Sequence, residues 1–185
     1  MNRVVTSREE ILKVSRKLLA ERGETALNIR TVASACGVSV GSIYNYFHSK
    51  SELTAATVES IWEDIFRLQE RREDFDSFPD CVAWIFMCIR NGNGRYPGFF
   101  MLHSSIFSGE ERADGKRRML RSWERIRKEL DRALERDRRV RQDAFDESFP
   151  PEAFSNIIFS LIISAMLQQD YDCGGILEMT ERILY

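Results

Sequence analysis

Apolar residues recur three and four positions apart through most of this chain. That spacing lines them up along one face of an α-helix, not on alternate sides of a strand. Only 4 prolines and 10 glycines interrupt the 185 residues, so few positions force a helix to end. The expected fold class is therefore all-α. A hydrophobic share of 43% is ordinary for a globular chain of this length, which can bury one sizeable core or two small ones.

Capping residues mark where the helices begin. Ser7-Arg8-Glu9-Glu10 reads as a capping box and predicts a helix over 8–22, with Ile11, Leu12, Ser15, Leu18 and Leu19 on its inner face and Gly23 at its end. Asn28 can cap a short second helix whose Ile29, Val32, Ala33 and Cys36 share a face, and Gly37 permits a sharp turn after it. Ser39 can cap a third helix over 40–47, with Ile43 and Phe47 inward. Ser49 can cap a fourth, running to about residue 72 and bridging two domains. Two short helices joined by a glycine turn, with a supporting helix before them, are the parts of a helix-turn-helix.

Beyond the fourth helix, Ser77 and Pro79 mark a start, and Asn91-Gly92-Asn93-Gly94 is expected to break the chain. Residues 99–107 read as a short aromatic helix. A narrow apolar stripe of Met119, Leu120, Trp123, Ile126, Leu130, Ala133 and Leu134 runs through a charged helix to about residue 139. Pro150-Pro151 opens a helix that is apolar nearly all round, and Gly174-Gly175 is expected to separate it from a last short helix. About nine helices result.

Charge is unevenly divided. The whole chain carries −2, but residues 1–50 hold 8 Lys/Arg and 4 Asp/Glu, a net of +4, which leaves −6 for residues 51–185. A small basic end on an acidic body suits a protein that touches phosphate at one place only. The N-terminus lacks the apolar core of a signal peptide, and the apolar run 157–167 is shorter than the about 20 residues that span a bilayer. The expectation is a cytoplasmic protein with no membrane partner.

The run Val32-Ala33-Ser34-Ala35-Cys36-Gly37-Val38-Ser39-Val40-Gly41-Ser42-Ile43-Tyr44-Asn45-Tyr46-Phe47-His48-Ser49-Lys50-Ser51-Glu52-Leu53 resembles the signature of the tetracycline-repressor (TetR) family. The likeness extends over 22 contiguous positions, far more than a bare alanine-glycine turn would fix. Cys36, where alanine is commoner, and Tyr46, where histidine is also common, are mild departures. The resemblance implies a helix-turn-helix DNA-binding domain over residues 1–50 and a helical effector-binding and dimerisation domain over 51–185.

It also implies roles for particular residues. Val40, Ser42 and Asn45 would reach base edges, Val40 by apolar contact with a thymine methyl and Asn45 by amide hydrogen bonds. Ser39, Tyr44, Tyr46 and Lys50 would hold phosphates, and Arg30 a base or a phosphate. Gly41, with no side chain, would let the recognition helix lie close to the duplex. The expected function is a sequence-specific transcriptional regulator, a repressor released from a palindromic operator by a small-molecule effector. Its partners are then double-stranded DNA, a second copy of itself as homodimer, and the effector.

An aromatic and Met-rich set in the middle of the chain, Trp84, Phe86, Met87, Tyr96, Phe99, Phe100, His103, Phe107 and Trp123, is richer than a minimal helical core requires. Such residues are usually core; the family's habit of enclosing an effector among its middle helices points to a pocket. For the C-terminal helices, Phe154, Ile158, Leu161, Ile162, Ala165, Ile176, Met179 and Ile183 would form half of an intersubunit four-helix bundle, as in the family's dimers.

Other features favour plainer readings. Cys36, Cys81, Cys88 and Cys173 form no metal-ligating pair and read as buried thiols, so neither a metal nor a resident cofactor is expected. His48 and His103 have no catalytic triad around them, and no enzyme is expected. The stretch 116–141, with 12 Lys/Arg against 5 Asp/Glu, reads as the solvated face of a helix paired with acidic neighbours. The rival function is a DNA-bound regulator or architectural protein controlled by a protein partner, with a filled C-terminal core and no small-molecule effector.

Overall fold

The computed structural model describes residues 6–66, 75–102 and 112–185. Among them the regular elements are all helical: α1 (Arg8–Arg22), a 3₁₀ turn (Glu24–Ala26), α2 (Ile29–Cys36), α3 (Val40–Tyr44), α4 (Lys50–Phe66), α5 (Phe78–Arg95), α6 (Phe99–Leu102), α7 (Arg112–Arg136), α8 (Pro151–Gln168) and α9 (Gly174–Leu184). The all-α class and the expected number of about nine helices agree with this. Two compact units divide the chain. One comprises Met1–Asp64 with Arg95–Met119, the other Ile65–Gly94 with Leu120–Tyr185.

The first unit is built on α1, α2, α3 and the start of α4. Ser7 caps α1 by accepting from the Glu10 amide at 3.1 Å, and Asn28 caps α2 by accepting from the Thr31 amide at 2.9 Å. The inner faces meet in one apolar core of Ile11, Leu12, Leu18, Ala26, Ile29, Val32, Ala33, Ile43, Phe47, Leu53 and Ala56. Ile11, Val32, Ile43, Phe47 and Leu53 are wholly buried. Each such side chain contributes roughly 1.5–3 kcal/mol by leaving water, which is what holds so short a helix as α3 in place.

The second unit gathers around aromatic side chains and one buried carboxylate. Phe78 of α5 meets Phe154 of α8 at 5.5 Å between ring centroids, and Phe145 and Phe149 pack on the same Phe154 at 5.9 and 6.2 Å. Asp137, which follows α7, accepts from the Phe78 amide at 2.9 Å and so caps the start of α5 from 59 residues away. It also accepts from the Arg139 amide at 3.0 Å and from the Tyr185 hydroxyl. The end of α9 is held to the same loop by the Arg141 amide, which donates to the Leu184 carbonyl at 2.8 Å.

Three boundaries differ from the sequence expectation. The run Asn91-Gly92-Asn93-Gly94 does not break the chain: α5 continues through it to Arg95. Gly92 is buried there, and a Cβ on it would stand 2.8 Å from Cγ1 of Ile65, so the glycine serves close helix contact and not a turn. α3 ends at Tyr44, three residues early, as the Tyr46 and Phe47 amides both donate to the Ile43 carbonyl. Gly174 and Gly175 form the first turn of α9, and the chain leaves α8 instead through Gln169 in the left-handed conformation.

By length and composition α8 is the one described helix able to cross a bilayer. Within the second unit, however, its Phe154, Ser155, Ile158, Ile162 and Met166 are buried, the pattern of a core helix with one side uncovered.

Candidate nucleic-acid interface

The α2–α3 connection is set by Gly37, whose φ of 67° is the left-handed conformation that side chains other than glycine tolerate poorly. In that conformation its amide donates to the Ser34 carbonyl at 3.1 Å and the Val38 amide to the Ala33 carbonyl at 3.0 Å. α3 then starts at a new angle. Ser39 caps it, accepting from the Ser42 amide at 3.1 Å, while the two serine hydroxyls meet at 2.9 Å.

Two anchors, Ile43 and Phe47, bury one side of this short helix completely. Opposite them the surface residues form a stripe at i and i+4: Val40 with Tyr44, and Gly41 with Asn45. Val40 is 39% exposed, Tyr44 47% and Tyr46 36%. Ser39, Gly41 and Asn45 are also exposed and Ser42 is half-buried. Val40 and Tyr44, partly exposed on one helix face, leave apolar surface available to another molecule, and Tyr46 lies just beyond the helix.

Lys50 and Arg30 flank this stripe. Both are exposed and both sit in the first turn of a helix, α4 and α2. A cation there opposes the helix dipole by roughly 0.3–1 kcal/mol, so helix stability does not account for either. α4 is capped by Ser49, which accepts from the Glu52 amide at 3.0 Å, while the Glu52 carboxylate accepts from the His48 amide at 2.7 Å. Gly41 has only ordinary space around it: a Cβ there would meet nothing closer than Ser39 Oγ at 3.7 Å. The fold does not require this glycine, whereas a close-lying duplex would.

Of the sequence-derived DNA-contact residues all but the half-buried Ser42 are thus exposed, and they lie on α2, on α3 and its flanks, and at the start of α4. Tyr46 differs in one respect. Its hydroxyl donates to the Thr6 carbonyl at 2.7 Å, a bond across 40 residues that no local pattern announces.

The family model for "Bacterial regulatory proteins, tetR family" matches residues 11–57, the span of this helix-turn-helix. Residues 11–57 are thus similar to the DNA-binding domain of the tetR family. Among its relatives is the HTH-type transcriptional repressor KstR2 of Rhodococcus jostii, 36% identical over 59 residues, which are 32% of this chain and 29% of KstR2. The matched part is therefore less than a third of that repressor's length. The fold is also that of a TetR-family regulator from Rhodococcus sp., with a TM-score of 0.66, 18% identity and 95% of each chain covered. A third likeness is to AibR, whose crystal structure contains isovaleryl coenzyme A and operator DNA. Its TM-score is 0.53 at 16% identity, with 92% of this chain and 96% of AibR covered.

The residues named for an effector fall in both units. In the first, Tyr96, Phe99 and Phe100 are buried, and Trp62, which the sequence reading passed over, meets Phe99 and Phe100 at 5.5 and 5.6 Å. Tyr96 donates to the Asp64 carboxylate at 2.9 Å. In the second, Trp84 packs on Phe66 and Phe75, Phe86 is buried and Met87 is exposed. Trp123 lies against Phe159 with its indole N–H lacking an acceptor among the described residues. His103 and Phe107 lie outside the described residues.

The residues named for a subunit interface also divide. Phe154, Ile158 and Ile162 are wholly buried within the second unit's own core, because the chain itself covers that side of α8. Leu161, Ala165, Ile176, Met179 and Ile183 are half-buried. The apolar surface that the sequence reading missed is Ile157 and Leu167, 46% and 55% exposed.

The thiols are free. Burial, with the Glu10 charge nearby, pushes the Cys36 thiol up, the wrong direction for a reactive thiolate. Cys81 is pushed up to about 12, by burial first and Glu129 second.

Proposed function

We propose that this protein is a transcriptional repressor that binds a near-palindromic operator as a homodimer and is released by a small-molecule effector. The observation that carries the reading is the face of α3. Val40, Tyr44 and Asn45 are held rigidly outward by Ile43 and Phe47, and exposed cations, Arg30 and Lys50, stand on the neighbouring helices. In this reading Val40, Ser42 and Asn45 meet base edges, while Ser39, Tyr44 and Lys50 hold phosphates.

The region from residue 51 onward would carry the effector site and the dimer contact. Support for an effector comes from the buried aromatic groups around Phe99 and Trp84 and from AibR, which binds a coenzyme A thioester together with its operator. Support for dimerisation comes from α8 and α9. Ile157, Leu161 and Leu167, with Ile176, Met179 and Ile183, leave apolar surface at least partly open that a second copy can cover. An effector that binds better to a dimer with the wrong spacing of recognition helices would release the operator, with α4 as the connecting rod.

In vitro selection of duplex DNA by the full chain tests the reading. A palindrome with half-sites about 34 to 36 Å apart is expected. Compounds that release the protein from it then identify the effector; equal affinity for selected and random duplexes would refute the proposal.

A further inference from the structure

The stretch of chain that enters α1 is tied to the end of the recognition helix at two points. The Tyr46 hydroxyl donates to the Thr6 carbonyl at 2.7 Å, and the Arg8 guanidinium carbon lies 5.1 Å from the centroid of the Phe47 ring. Tyr46 and Phe47 follow directly on α3. Phe47 is wholly buried, so it offers Arg8 a fixed platform, while Arg8 itself is exposed.

A guanidinium that lies over a ring spends none of its N–H donors on a conventional acceptor in that contact. Arg8 has no ion-pair partner among the described residues, and its charge is left to solvent or a ligand. Tyr46 is in the opposite condition: its one proton is already given to Thr6, and a phosphate could take it only by breaking that bond.

We propose that Arg8 is a phosphate-binding residue of the DNA interface, and that Tyr46 is a positioning residue that holds the entrance of α1, and Arg8 with it, beside the recognition helix. The inference rests on the DNA-binding reading of α3. It extends the interface from α2, α3 and α4 to the start of α1. It also changes the role of Tyr46 from phosphate donor to strut.

The test is the salt dependence of binding to a fluorescein-labelled mixed-sequence duplex several helical turns long, followed by anisotropy. Each phosphate contact on duplex DNA contributes about 0.9 to the slope of log Kobs against log salt. Arg8→Gln is expected to lower the slope by about 0.9, so that the affinity lost between about 50 and about 200 mM salt shrinks about 3.5-fold. Arg8→Lys, which keeps the charge, is expected to keep the parent slope. In a Tyr46→Phe background Arg8→Gln is expected to change the slope by less than half as much, since the cation is no longer held in place.

A parent slope in Arg8→Gln, with an unchanged melting temperature, would overturn the assignment of Arg8. An undiminished effect of Arg8→Gln in the Tyr46→Phe background would overturn the role of Tyr46. A parent protein that fails to bind the duplex even at low salt would remove the DNA-binding reading itself, a different outcome from either of these.

Discussion

Gly92 lies against Ile65 so closely that a Cβ added to it would stand 2.8 Å from the isoleucine Cγ1 and 2.9 Å from Cδ1. Both residues are buried, and neither can move far without opening the core of their unit. Gly92→Ala is therefore expected to destabilise by about 1–3 kcal/mol through overpacking, against the usual gain of alanine in a helix. Gly94 has open space around it, and Gly94→Ala is expected to stabilise by about 0.4–1 kcal/mol. Urea denaturation of the two variants measures the contrast; equal stabilities would contradict the close contact.

A second prediction concerns pH. Burial alone would raise the Asp137 pKa, but hydrogen bonds from Tyr185, the Phe78 amide and Arg139 outweigh it and hold the carboxyl below its ordinary value. A depressed carboxyl stabilises the fold above about pH 4, and that stability is lost as pH falls below it. Tyr185 is pushed up to about 12, by burial first and Asp137 second, so its contribution is complete below about pH 10 and lost as pH rises through 12. Tyr185→Phe is expected to cost about 1–3 kcal/mol near neutral pH and to flatten the alkaline limb of the stability profile. Thermal melts across pH check both limbs.

Local signals were the legible part of this fold. Ser7, Asn28, Ser39 and Ser77 each accept the backbone hydrogen bond that their place before an apolar run implies, and so does Ser49. The candidate interface was legible for the same reason, since Ser39 to Lys50 is one short stretch whose inner and outer faces alternate at helical spacing. What escaped is set by distant contacts. Gly92 reads as a breaker until Ile65 is placed beside it, and Tyr46 reads as a free phenol until Thr6 is found in reach. On α8 an all-round apolar pattern shows that every side needs cover. It does not show that Phe154, Ile158 and Ile162 are covered by their own chain while Ile157 and Leu167 are not.

Gly41 separates fold from function. Nothing near it forbids a side chain, so Gly41→Ala is expected to stabilise the free protein by about 0.5–1 kcal/mol. The same methyl would stand between α3 and the duplex, and operator affinity is expected to fall. Calorimetry and anisotropy on one preparation give both signs. Unchanged affinity would mean that Gly41 does not face DNA.

The uncovered side of α8 makes a fourth prediction. Ile157 is exposed in the single chain, so Ile157→Asp is expected to leave the melting temperature of a monomer nearly unchanged while a carboxylate in the apolar interface drives the dimer apart. Light scattering on the eluted protein reads the mass directly. A variant that remains fully dimeric would move the interface elsewhere.

The most direct measurement of the central claim is the base preference of Asn45→Ala against the parent on the selected operator and its single-base variants. If α3 presents Asn45 to a base edge, the variant loses about 1–3 kcal/mol of discrimination at one base pair in each half-site and keeps the parent's preference elsewhere. A uniform loss over every sequence, or no loss at all, would contradict it.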